Sequence, residues 1–248
     1  ILSKCGHPDA MWNKRVNEKE MRKDLKKSLE ELKTDYIDIY MLHRDDPDID
    51  VAVAVETFNA MHEEGSIGAF GASNWMHTRI EEANEYAYKH NLIPFSVSSP
   101  NFCLARQVED PWGGGCVNIS GPENQEARAW YEKNQMPVIA YASLGRGFFS
   151  GRMKSEYADH AGDYLDSFAM TGYACSDNFE RLRRCEIIAE KHGVTVAQIA
   201  MNWIFSHPLN IFAIASMSKA DRMKANREAL LLQLSDEEIA YLNLEIPE

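Results

Sequence analysis

The chain has few cysteines, no long apolar run and no excess of positive charge. Each shortfall excludes something. The five cysteines, Cys5, Cys103, Cys116, Cys175 and Cys185, are odd in number and scattered, with no CxxC pair. Unpaired thiols of this kind speak against a disulfide framework and for a reducing compartment, so a cytoplasmic location is expected. No stretch approaches the roughly 20 apolar residues of a membrane span. Lys4, His7 and Asp9 interrupt the opening, where a signal peptide would be apolar. The 26 basic side chains are outnumbered by 38 acidic ones, a formal net charge of -12. A nucleic-acid partner, which needs a basic footprint, is therefore not expected. The eight histidines include no HExxH pair and no cluster at ligand spacing, so no metal is expected. Neither a GxGxxG nor a P-loop is present.

What the chain does have is an ordinary globular composition. Apolar residues make up 45% and aromatics 10%, enough for a packed core and too much for disorder. Its 248 residues match the size of a complete (β/α)8 barrel, about 250. The periodicity, however, yields only six strands: 1–4, 36–42, 69–72, 95–99, 137–142 and 211–215. Helical patterns alternate with them. Asn17 with Glu20 makes a capping-box start, with Met21, Leu25, Leu29 and Leu32 on one face. Val55, Phe58 and Met61 point inward from a helix over 51–64 that Gly65 ends. Further helices are predicted over 76–90, 125–134 and 178–192. Thr195/Gln198, Ser218/Asp221 and Ser235/Glu238 cap three more. Strand and helix alternate without hairpins, which implies parallel strands with right-handed crossovers, an α/β class. Two long irregular loops, 101–123 and 144–177, interrupt what reads as one domain over 1–248.

In such folds chemistry sits on loops after the strands. Lys4 and His43 each follow a strand directly. They suit a proton-transfer pair, or equally a surface lysine and a locally bonded histidine. Ser73 and Asn74 end the third strand after Gly71; they suit amide recognition or simple helix capping. Ser143-Leu144-Gly145-Arg146-Gly147 follows the fifth strand and suits a phosphate or pyrophosphate. Ser216 to Arg222 leads into a helix start, either an anion site or a solvated first turn. Trp75, Trp112, Phe148, Phe149 and Tyr157 fit an apolar pocket or loop-packing anchors.

Taken in order, these segments resemble the aldo-keto reductase superfamily. LSKCG is similar to that family's strand carrying the catalytic lysine, Lys4 here. YIDIYMLHRDDP is similar to its histidine strand, giving His43. GAFGASNW matches the pair that grips the nicotinamide carboxamide, Ser73 and Asn74. VIAYASLGRGFFSG matches the tyrosine that stacks on nicotinamide, Tyr141, and the pyrophosphate loop, Ser143, Leu144, Gly145 and Arg146. The segment from TVAQIAMNWIFSHP through IASMSKADRMKANREAL matches the adenosine-phosphate site at Ser216, Ser218, Arg222 and Asn226. The resemblance implies a (β/α)8 barrel that uses NADP(H) to reduce a small-molecule carbonyl, with Arg222 favouring NADP over NAD.

Two departures accompany the resemblance. Ser99 stands where the family has a nicotinamide-binding glutamine. Lys4 corresponds to the family's third strand, so the first two βα units, with the Tyr and Asp of the catalytic tetrad, have no counterpart here. Six parallel strands cannot close an eight-stranded barrel. The expectation is an incomplete or complemented barrel, with an N-terminal segment or fused domain as the completing partner. A non-catalytic nucleotide-binding or interaction module lacking the proton donor is the competing reading. An unrelated barrel hydrolase is a third.

Overall fold

The computed structural model describes residues 1–217 and 219–247. Ser218 and Glu248 lie outside the described residues. The chain divides into two compact units, Ile1–Pro100 with Gly115–Val117 and Met136–Val138, and the remainder. Its strands form a parallel sheet in the order β1-β2-β3-β4-β5-β6, so the α/β expectation holds. Among the described residues no helix is long and apolar enough to cross a membrane.

The first unit holds β1 (Leu2–Cys5), α1 (Glu18–Leu32), β2 (Ile37–Leu42), α2 (Val51–Glu63), β3 (Ile67–Ser73), α3 (His77–Lys89) and β4 (Val97–Ser99). Asn17 caps α1 by accepting from the Glu20 amide, and Glu18 and Glu20 complement the helix dipole. Met21 and Leu25 are buried as expected, whereas Leu32 is 46% exposed. The buried stripe of α1 ends two turns before the helix does. Asp50 caps α2 through the Ala52 amide, and Gly65 leaves it at φ +76°. Tyr40, Phe58, Phe70, Phe95 and Trp75 interlock in the core, with Phe58 stacked on Phe70 at 5.4 Å between centroids. β2 buries Ile37, Tyr40, Met41 and Leu42, as a central parallel strand must on both faces.

Register places the strand ends side by side. Lys4 opposes Met41, Met41 opposes Gly71, and Ser73 opposes Ser99. Gly71 has no room for a side chain, because a Cβ there would overlap the Val97 carbonyl. The glycine permits β3 and β4 to pair just before the Ser73-Asn74 turn.

The second unit holds α4 (Gln125–Asn134), the end of β5 (Val138–Ala140), α5 (Ser167–Tyr173), α6 (Ser176–His192), α7 (Val196–Phe205), β6 (Ile211–Ala213), α8 (Ala220–Ala229) and α9 (Asp236–Leu242). Thr195/Gln198 and Ser235/Glu238 form reciprocal capping boxes. The Ile214 amide donates to Ala140 O at 2.8 Å, which ties the end of β6 to β5. The 144–177 stretch is more ordered than its composition suggested. It contains 3-10 turns at Gly145–Gly147 and Ser155–Asp163 as well as α5. Phe148 and Phe149 are fully buried there, and Trp75 is buried in the first unit, so these three aromatics are packing anchors. Hydrophobic burial organises a loop that has too few periodic positions to register as a helix.

Gly71→Ala should destabilise the protein by about 3 kcal/mol, the upper range for overpacking a filled site. Urea denaturation reads this directly; an unchanged midpoint would mean β4 can shift freely.

Candidate active site

Five expected residues meet at the carboxyl ends of the strands of the first unit. Lys4 is the penultimate residue of β1, and His43 follows β2. Ser73 ends β3, Asn74 follows it, and Ser99 ends β4. The Lys4 side chain donates from Nζ to Ser73 Oγ at 3.1 Å and to Ser99 Oγ at 3.4 Å. Ser73 Oγ donates in turn to Ser99 O at 2.8 Å. The His43 amide donates to Cys5 O at 2.8 Å, which continues the β1–β2 pairing into the loop. Its ring stands edge-on to His7 at 4.7 Å.

Burial dominates the electrostatics. Desolvation is the main cause that brings the Lys4 pKa down to about 8, with Cys116 opposing the shift and Arg44 adding to it. Among the described residues Lys4 makes no ion pair with a carboxylate. Burial also lowers His43 to about 4, helped by the positive charges of Lys4, His7 and Arg44. At pH 7 the imidazole is neutral, suited to donating a hydrogen bond rather than a proton.

Asn74 sits at φ +62° in the left-handed region. Its Nδ2 donates to His43 O at 3.0 Å and to Ser73 Oγ at 3.2 Å, while Oδ1 accepts from the Val117 amide at 3.1 Å. The amide thus joins the ends of β2 and β3 to the segment after the glycine turn. Arg44 Nη1 donates to Cys116 Sγ at 2.6 Å. The sequence did not point to Arg44, Cys116 or His7 as neighbours of Lys4 and His43. Arg44 could have been found, since it follows His43 directly. Cys116 could not, because it lies 72 residues further on behind a turn.

The second unit gathers another set. A cavity of about 730 Å³ is lined by Ser143, Leu144, Arg146 and Gly147 after β5, by Ile214 to Ser216 after β6, and by Arg222 and Asn226 of α8. Arg152 also lines it, as does Thr195, which the sequence offered only as a helix cap. Gly145 is buried beneath the loop at φ +56°, and Arg146 follows at +53°. Ser143 Oγ donates to Ile214 O at 2.8 Å, holding the two loops together. Arg146 pairs with Asp166 at 3.0 Å and lies over the Phe168 ring. Tyr141 is not among the lining residues; its half-buried ring stands edge-on to Trp112 at 5.7 Å. Ser218 falls outside the described residues.

Comparison with known proteins decides the family. The Aldo/keto reductase family model matches residues 1–244. This chain belongs to the aldo/keto reductase family. It is 23% identical to aldo-keto reductase YhdN of Bacillus subtilis, over 92% of this chain and 63% of that protein. It is 25% identical to the probable aryl-alcohol dehydrogenase AAD4 of Saccharomyces cerevisiae, over 89% and 63%. The chain thus spans a little under two thirds of the length of these curated relatives. Among solved structures it resembles the thermostable aldo-keto reductase Tm1743 at TM-score 0.68 and 22% identity, covering 98% of this chain and 70% of that one. It also resembles glycerol dehydrogenase AKR11B4 of Gluconobacter oxydans at 0.69 and 20%, over 95% and 68%. The fold is that of the family's barrels, with six βα units in this chain.

The burial of His43 has a measurable consequence. Its pKa falls from an unfolded value near 6.5 to about 4 in the folded protein. Between these pH values the unfolded chain binds the extra proton, so stability falls as pH drops from 6.5 toward 4. In His43→Gln that part of the loss should disappear. Urea midpoints of the two proteins across pH 4–7 test it; parallel curves would mean the ring is solvated.

Proposed function

We propose that this chain carries the cofactor-phosphate cavity and carbonyl-handling rim of an NADP(H)-dependent oxidoreductase that reduces an aldehyde, ketone or sugar carbonyl to an alcohol. The observation that carries the reading is the second unit's cavity. There the Ser143–Gly147 loop turns through left-handed backbone beside Arg146, Arg152 and the first turn of α8. Loop amides, a helix N-terminus and guanidinium groups are what phosphate oxygens require. The residues fit a dinucleotide's phosphates, with Arg222 favouring a 2'-phosphate and Asn226 and Ser216 beside it. NADPH, when bound, supplies the hydride. Arg146 would have to exchange Asp166 for phosphate oxygens, or act with Asp166 still attached.

At the rim of the first unit the neutral His43 imidazole offers a hydrogen bond to a carbonyl oxygen as negative charge develops. Lys4 and Arg44 raise the local potential in the same sense. The fit to a nicotinamide amide is poorer there. Asn74 and Ser73 spend their hydrogen bonds within the unit, and Ser99 faces Lys4. That observation supports a second reading, a module that binds nucleotide without turning over substrate. A cytoplasmic setting and a single functional domain accord with the reductase reading. So does a completing segment paired to β1, the first strand of the sheet.

Fluorescence titration with NADPH and consumption of NADPH over an aldehyde panel separate the readings. Binding with turnover is expected. Binding alone selects the module, and no binding rejects both. Arg222→Ala should weaken NADPH about tenfold, the value of one charge-assisted contact, and leave NADH nearly unchanged.

A further inference from the structure

A second histidine shares the rim with His43. The loop after β1 leaves through Gly6, at φ +71°, whose amide donates to Asp24 Oδ2 at 3.0 Å. A Cβ at that position would press on the Leu42 side chain, so the turn needs a glycine. Two clamps then hold the loop. Arg15 donates to the His7 carbonyl at 3.1 Å while pairing with Glu20 and Asp24 at 2.6 Å each. Lys14 bridges Asp46 and Asp48, in the loop after β2, at 2.7 Å each. So held, the His7 ring stands edge-on to His43, with 4.7 Å between centroids.

The hydrogen bonds of the pair fix what it can offer. His7 Nδ1 lies 2.7 Å from Pro8 O, and a carbonyl only accepts, so Nδ1 carries the proton. In the neutral ring the lone pair is then on Nε2. Among the described residues neither that nitrogen nor the ring nitrogens of His43 make a hydrogen bond. The rim thus presents a donor from His43 beside an acceptor from His7.

We propose that His7 is a specificity-determining residue that selects carbonyl substrates bearing a hydroxyl on the neighbouring carbon. His43 donates to the carbonyl oxygen, and His7 Nε2 accepts a hydrogen bond from the hydroxyl. The assignment rests on the reading of this rim as carbonyl-handling and narrows its substrate class. A lone pair at Nε2 requires a donor, which excludes a carboxylate or an ether at that place. A protonated amine also donates, but Lys4 and Arg44 act on His43 from the same rim and disfavour a further cation. A hydroxyl satisfies both conditions. A site that hydrogen-bonds a substrate hydroxyl discriminates against the analogue that lacks it.

The test is a long-range proton–nitrogen NMR titration of the isotope-labelled protein at pH 8, with hydroxyacetone and, separately, with acetone. The two ketones differ by one hydroxyl. His7→Phe, which keeps an aromatic edge against His43, assigns the His7 signal by its loss. Hydroxyacetone should move the His7 Nε2 resonance, and acetone at equal concentration should leave it in place. In NADPH consumption, His7→Phe should cut kcat/KM for hydroxyacetone about tenfold, the value of one hydrogen bond, and leave that for acetone within about twofold. Equal shifts with the two ketones, or no shift with either, overturn the proposal in the unmodified protein. Without NADPH turnover the reductase reading falls, and the titration still decides the role of His7.

Discussion

The close pairing of β3 with β4 at Gly71 is the constraint on which the first unit's site depends. Without a side chain at Gly71, the Val97 carbonyl comes against the strand and the register runs on to Ser73 opposite Ser99. Those two hydroxyls are the partners of Lys4. A slip of β4 by one residue would turn Ser99 to the other face and remove one of the two acceptors of the lysine. The geometry at the rim is thus a consequence of backbone packing at Gly71 and Val97, two residues before Ser73 and Ser99 on their strands.

The local charge balance runs against the whole molecule. The given sequence carries a net charge of -12, yet Lys4, His43 and Arg44 meet at one rim of the first unit. Burial and mutual repulsion both favour the neutral forms of Lys4 and His43, and the Cys116 sulfur on Arg44 offsets part of that. A desolvated set of this kind costs stability, which proteins retain where it serves binding or catalysis. In the second unit, by contrast, the cations stand at a cavity wall. Arg146 is matched by Asp166 at the edge, and the aromatic side chains beneath are packed as core.

Much of the architecture was legible in local signals. The alternation of apolar strands with capped amphipathic helices anticipated all six strands and their parallel α/β class. The Thr195/Gln198 and Ser235/Glu238 boxes were readable because capping is a contact over three residues. The exposure of Leu32 and the order within 144–177 were not legible, for the complementary reason. An amphipathic stripe says which face is apolar, not where the neighbouring element stops covering it. An irregular segment has no period to read, although Phe148 and Phe149 bury it firmly.

By itself the sequence determined the α/β class, the six strands, the family and which side chains end each strand. The class and the strands follow from periodicity, a property of near neighbours along the chain, and the family from the resemblance of its motifs taken in order. The tertiary structure alone decided what those side chains touch. Only the fold shows that Asn74 is occupied by His43 O and the Val117 amide, that Cys116 joins Arg44 from 72 residues away, and that Lys4 lies against Ser73 and Ser99. Hydrogen-bond partners and desolvation depend on packing between distant segments, and no local pattern encodes them.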